Sequence, residues 1–331
     1  MRCCRYRFCN PCANAYYANI MLILNDFRSR AEAPGLVVSP TKIPPAMDNN
    51  RQSEQAAQVP EAGLPASARL AINHCNLPAA ILGGMTYQRY PVPLELDGIR
   101  AFHAALFRTL APLDQHPARA QAFRDYMSAH FLLDHLDEAG LVPGRAKKKR
   151  ANANYLRLAR GWSFDSDGRE GAVLKRWVES RFGLLARHHA GPLQGRGSEA
   201  YQRYLAEGTR GLYATNALEA QLDLLYTYCQ YELRLAYAQE RHLTLYRGIN
   251  RIDEHEILAT LGGGRYRVLF NNLNSFTSNR ERADEFGDYI LRVEVPLPKI
   301  FLFNQLLPGM LKGEDEYLVI GGLYEVAISP M

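Results

Sequence analysis

The chain has 331 residues, 47% of them hydrophobic and 22% charged. That composition excludes a disordered, collagen-like or coiled-coil protein for most of the length, and at about 150 residues per domain it suggests roughly two domains. The formal net charge of +5 suits an acidic protein partner. It comes with no basic stripe interleaved with aromatics, so a nucleic-acid-binding protein is not expected.

No apolar run approaches the ~18 residues that a membrane-spanning helix needs. The longest near the start, Ile20–Leu24, is shorter than the ~7–15 residues of a signal-peptide core and runs straight into Asn25 and Asp26. A cytoplasmic protein with no membrane span is expected. Four of the six cysteines, Cys3, Cys4, Cys9 and Cys12, crowd into the first twelve residues. Cys9 and Cys12 have the spacing of half a zinc knuckle, but no second ligand pair follows. Cys75 and Cys229 read as ordinary reduced thiols. Residues 1–66 read as a disordered tail: Glu32 to Pro65 is rich in Ala, Pro, Gln and Ser, with too few large apolar groups to offset the entropy of ordering.

Residues 67–240 read as mostly helical, with a role in target recognition or regulation. Ile99, Phe102, Leu106, Phe107 and Leu110 recur at three- and four-residue steps, the period of one helix face. Pro117 suits a first helical turn, followed by Phe123, Tyr126, Met127 and His130. Leu174, Trp177, Val178, Phe182 and Leu185 form a further stripe. Asn216 suits the cap of a long helix through Leu218, Leu222, Leu225, Cys229 and Leu233. Loops separate these helices, among them the basic run Arg145–Arg150, which reads as a solvated loop.

Residues 241–331 change texture. Leu243–Arg247, Tyr266–Phe270, Tyr289–Val295, Lys299–Phe303 and Tyr317–Ile328 are rich in β-branched and aromatic residues, with Gly and Pro turn signals between them. A short helix over Arg280–Phe286 interrupts them. The fold class is therefore α+β, a helical region followed by mostly antiparallel strands, and the two regions are able to pack as one domain. Several apparent motifs carry no chemistry. Gly262–Gly264 lacks dinucleotide-fingerprint spacing, and no Walker sequence exists. His188-His189 reads as solvated helix-end histidines, and His255-Glu256 lacks a second histidine. No metal is expected.

Three short segments carry chemistry together. Tyr246-Arg247-Gly248 closes a strand; its guanidinium fork suits a phosphate, and its glycine admits a close approach to the backbone. Asn274-Ser275-Phe276-Thr277-Ser278 offers three hydroxyls around one aromatic. Gly313-Glu314-Asp315-Glu316 leads into a strand, and alternation along an extended chain would turn Glu314 and Glu316 to one side. In this order and spacing they resemble the Arg, Ser-Thr-Ser, Glu-x-Glu signature of arginine-directed ADP-ribosyltransferases. Further segments resemble the dinitrogenase reductase ADP-ribosyltransferase family, from about residue 68 to the end. They include Asn73-His-Cys-Asn-Leu-Pro78, Leu245–Asn250, Asn271–Ser278, Glu285-Phe-Gly287 and Leu306–Gly309.

The resemblance implies a split β-sandwich of mostly antiparallel strands. It implies NAD+ as a substrate and an arginine of the nitrogenase iron protein as the acceptor, with nitrogenase inactivated. Catalysis would fall to Glu316, supporting a cationic ribose, and to Glu314, taking the proton of the attacking guanidinium. Arg247, Gly248, Ser275, Phe276, Thr277 and Ser278 would bind NAD+, with Phe276 stacking on a ring. The key hydroxyl belongs to Ser275 or Ser278. Control through a PII signalling protein is implied as well. The rival readings are an ADP-ribosyltransferase with another target, an NAD glycohydrolase, and a non-catalytic regulator that holds NAD+ or the iron protein.

Overall fold

The computed structural model describes residues 63–133, 154–195, 197–211, 215–250, 256–311 and 315–330. The cysteines at 3, 4, 9 and 12, nearly all of the proposed tail, the basic run at 145–150 and Glu314 lie outside the described residues. Leu64 is already buried.

The helices, in chain order, are α1 (Ala79–Leu82), α2 (Met85–Arg89), α3 (Ile99–Phe102), α4 (Ala104–Leu110), α5 (His116–Phe131), α6 (Tyr155–Phe164), α7 (Arg169–Phe182), α8 (Glu199–Gly211), α9 (Thr215–Ala236) and α10 (Arg280–Asp284). Their ends follow local chemistry. α5 opens with Pro117 in its first turn, where no backbone N–H is needed. The Asn154 side chain accepts from the Leu156 N–H and caps α6. α7 stops at Gly183 in the left-handed region, φ 69°, the usual helix terminator.

α9 is the central strut. Leu218, Leu222, Leu225, Cys229 and Leu233 are all buried, as their period requires, and each large apolar side chain so placed contributes about 1.5–3 kcal/mol. Phe123 of α5 stacks on Tyr228 with ring centroids 4.1 Å apart. Arg119 of α5 pairs with Glu232 of α9 through two hydrogen bonds of 2.8 and 2.7 Å.

The strands are β1 (His242–Ile249), β2 (Glu256–Gly262), β3 (Arg265–Thr277), β4 (Tyr289–Pro296), β5 (Ile300–Phe303) and β6 (Glu316–Pro330). All pairings are antiparallel, in the order β2-β3-β1-β4-β6-β5 with an added β3–β6 ladder. β6 changes partner along its length: Tyr317–Val319 face β5, whereas Val326–Pro330 face β4. The switch occurs at Gly321-Gly322, opposite a register shift in β3 between Phe270 and Leu273. A Cβ on Gly321 would lie 1.7 Å from the Asn271 carbonyl, so only glycine lets the backbones meet there. Beside the switch, the buried ammonium of Lys299 donates to the Gly321 carbonyl at 2.6 Å and lies 4.9 Å from the Tyr324 ring centroid. Burial pulls that amine down to about 7.

Helices and sheet share one continuous hydrophobic cluster. Trp177 of α7 meets Phe301 of β5 at 4.7 Å between centroids, and Gln230 of α9 donates to the Ile300 carbonyl at 2.8 Å. The strand pattern departs from the sequence reading in two places. β2 was not expected; it is an edge strand with a half-exposed face, and such strands carry a weak apolar signal. β3 runs on to Thr277 rather than ending at Phe270, so the hydroxyl-rich stretch is its second half. Gly263 and Gly264 are the hairpin turn joining β2 to β3, and with Gly262 at the end of β2 all three have positive φ.

Candidate active site

A cavity of about 1080 Å³ opens between the end of α6, the turn before α7, the segment 187–194, the end of β1, β3, α10 and the first residue of β6. Residues of α6, α7 and α10 therefore line it together with residues of the sheet.

Glu316 begins β6 and lies opposite Thr277 of β3. Just before it Asp315 adopts φ 56°, a left-handed conformation that Asp tolerates better than most residues. The chain turns there instead of running extended. Glu314, the other carboxylate expected here, lies outside the described residues. Both carboxylate oxygens of Glu316 are engaged. Ser275 Oγ donates to Oε1 at 2.7 Å, and Ser163 Oγ at the end of α6 donates to Oε2 at 2.7 Å. Ser275 in turn accepts from the Trp162 indole N–H at 2.9 Å.

Arg247 sits half-buried near the end of β1 and donates through Nη1 to the Ser275 carbonyl at 2.8 Å. Its buried Nε has no acceptor among the described residues. Burial pulls the guanidinium below its usual pKa, while Glu316 and Asp167 pull it back up; it stays charged at any working pH. Lys175 of α7 adds a second cation. Its ammonium has three protons and three partners: Asp167 Oδ1 at 2.7 Å, the His188 carbonyl at 3.1 Å and His189 Nδ1 at 3.3 Å. Burial lowers the Lys175 pKa against the pull of Asp167. Burial alone would raise the Asp167 carboxyl, but Lys175 holds it below the usual range.

The predicted site residues separate under this geometry. Arg247, Ser275 and Glu316 converge. Between the two candidate hydroxyls, Ser275 is the one in contact with Glu316, whereas Ser278 is exposed at the strand end near Tyr317. Thr277 accepts from the Asn279 N–H at 3.1 Å, which shapes the entry to α10. Phe276 borders the cavity, but its ring is turned into the core, 4% exposed and edge-on to Phe270. It does not present a free face for stacking. Gly248 also borders the cavity, yet the place of its missing Cβ is filled from within: a Cβ would lie 2.1 Å from the Ala283 carbonyl of α10. Its glycine is required by the packing of α10. His189 is fully buried rather than solvated, and its Nε2 meets Glu207 at 2.8 Å. Among the described residues no group of three or more His, Cys, Asp or Glu could hold a metal ion.

Sequence reasoning missed Trp162, Ser163, Asp167 and Lys175. Nothing local marks them, since Ser163 and Glu316 meet across 153 residues of chain.

The family model for dinitrogenase reductase ADP-ribosyltransferases matches residues 72–328. The chain belongs to this family. A curated relative, the NAD(+)–dinitrogen-reductase ADP-D-ribosyltransferase of Rhodospirillum rubrum, is 41% identical over 260 residues, covering 78% of this chain and 94% of the relative. No solved structure matches. Every cavity residue named above falls inside the matched segment of this ADP-ribosyltransferase family member, those of α6 and α7 included. The helical half is therefore part of what defines the family.

Proposed function

We propose that this chain transfers ADP-ribose from NAD+ to an arginine of dinitrogenase reductase, the nitrogenase iron protein, and thereby inactivates nitrogenase. The observation that carries this reading is the Glu316 carboxylate, held at both oxygens by hydroxyls 2.7 Å away, in a cavity it shares with Arg247. The cavity fits NAD+ on two counts. At about 1080 Å³ it reaches the upper end of the ~300–1,000 Å³ usual for small-ligand sites. The unspent Nε–H of Arg247 is the kind of donor a pyrophosphate takes.

The chemistry follows from charge. Breaking the bond between nicotinamide and ribose C1′ sends the electron pair to nicotinamide and leaves cationic character on the sugar, as in glycoside cleavage. Glu316 is placed to accept the ribose 2′-hydroxyl hydrogen bond and to stabilise that cation. Arg247 anchors the pyrophosphate. The attacking guanidinium nitrogen forms the new bond to C1′ and must lose a proton, because arginine is protonated at working pH. Glu314 is the proposed acceptor of that proton. These substrates place the reaction in the cytoplasm, and among the described residues no helix is long and apolar enough to cross a membrane. Control by a PII signalling protein belongs to the same proposal and is supported by the family resemblance.

Intact-mass spectrometry of the iron protein after incubation with this chain and NAD+ tests the reading. One ADP-ribose on one arginine is the expected outcome. Nicotinamide release with no adduct would move the target elsewhere, and neither product would favour a non-catalytic regulator.

A further inference from the structure

The end of α6 supplies a clamp on the reacting carboxylate that the three-part signature does not contain. Proton accounting defines it. An indole N–H can only donate. Ser275 Oγ must therefore accept from Trp162, at 2.9 Å, and its single proton goes to Glu316 Oε1, at 2.7 Å. Ser163 Oγ has two acceptors in reach, Glu316 Oε2 at 2.7 Å and the Ala159 carbonyl at 3.4 Å. The shorter, charged contact takes its one proton. One hydroxyl thus sits on each oxygen of Glu316, and both depend on neighbouring residues of one helix. A carboxylate has roughly four acceptor positions, so two remain for a ribose hydroxyl.

We infer that Ser163 is a positioning residue for ADP-ribosyl transfer, fixing Glu316 directly while Trp162 fixes it through Ser275. This inference rests on the catalytic reading of Glu316 above. A carboxylate pinned at both ends cannot rotate about its last bond, so its charge already points where the cation develops. Such preorganisation raises turnover rather than ground-state binding. Ser163 is exposed, and its hydroxyl fills no core space, which sets it apart from a purely structural serine.

Steady-state NAD+ turnover, read as nicotinamide release with and without a small guanidino acceptor such as agmatine, tests the inference on the full chain. Ser163→Ala should lower kcat about tenfold to hundredfold, the worth of one hydrogen bond to a charged group, with KM for NAD+ within about twofold. Ser163→Thr keeps the hydroxyl and should recover most of that loss. Trp162→Phe keeps the ring and should lower kcat in the same way. Trp162 is buried, so that variant is scored only alongside an unchanged thermal midpoint; Ser163→Ala decides by itself. An unchanged kcat in Ser163→Ala, a loss carried wholly by KM, or a threonine variant as poor as alanine would each overturn the inference. Glu316→Ala, run in parallel, keeps the two readings apart. If it retains turnover, the catalytic reading of Glu316 fails, whatever Ser163 does.

Discussion

Two arginines, one in the helical scaffold and one in the cavity, show what each region is built for. Arg119, 8% exposed between α5 and α9, spends its donors on Glu232 Oε1 and Oε2 and on the Leu113 and Asp114 carbonyls. Its hydrogen bonds to Glu232 outweigh burial and raise its pKa. Arg247 makes one hydrogen bond to the Ser275 carbonyl and keeps a buried Nε without an acceptor among the described residues, and burial lowers its pKa. A buried donor left unpaired costs about 1–3 kcal/mol. Arg69, Arg124 and Arg267 also keep an unpaired Nε among the described residues, but of these four only Arg247 borders the cavity, where a ligand can complete it. Lys175 lies on the cavity wall yet behaves like Arg119, with each ammonium proton matched to an acceptor. It holds the turn at Asp167 and the segment at His188–His189 in place. On the cavity wall the unpaired buried donor is Arg247 Nε among the described residues, with the open acceptor positions of Glu316 beside it.

Breaking the catalytic half of this contrast should have the largest effect. Glu316→Ala removes the carboxylate on which both clamping hydroxyls converge. The expected loss of transfer is about thousandfold or more, the upper range for deleting one electrostatic stabiliser of a transition state. NAD+ affinity, read by calorimetry, should persist because Arg247 remains. Retained transfer would sink the assignment of Glu316.

The scaffold half breaks differently. Glu232→Ala strands the Arg119 charge in a buried site, which costs about 3–5 kcal/mol. Chemical denaturation should show that loss, while activity per folded molecule stays near that of the parent chain. A variant as stable as the parent would mean that Arg119 finds another partner and that the pair is not what ties α5 to α9.

The same contrast explains what the sequence reveals. Five of the six strands announce themselves through β-branched and aromatic residues between Gly and Pro turns, and Arg247, Ser275 and Glu316 sit at strand positions where a short motif can mark them. The α9 stripe is equally local. What stays hidden is created by packing: Trp162 meets Ser275 across 113 residues and Ser163 meets Glu316 across 153, and no periodicity encodes either contact. Phe276 fails for a related reason. A ring in a signature looks available until the sheet assigns it a face, and here that face belongs to the core.

The smallest and sharpest effect should come from conservative exchange of the two arginines themselves. Arg247→Lys keeps the charge but loses the planar fork that matches a phosphate. KM for NAD+ should rise about tenfold, equivalent to roughly 1.4 kcal/mol of binding, with the denaturation midpoint nearly unchanged, since the native molecule gives Arg247 little to lose. Arg119→Lys should do the reverse. An ammonium cannot reproduce the two-pronged contact with Glu232 together with the Leu113 and Asp114 carbonyl bonds, so stability should fall while KM holds. Measuring both variants for both quantities gives a two-by-two test. If Arg247→Lys lowers stability as much as Arg119→Lys and leaves KM alone, Arg247 is a structural residue like its counterpart, and the pyrophosphate anchor must be sought elsewhere in the cavity.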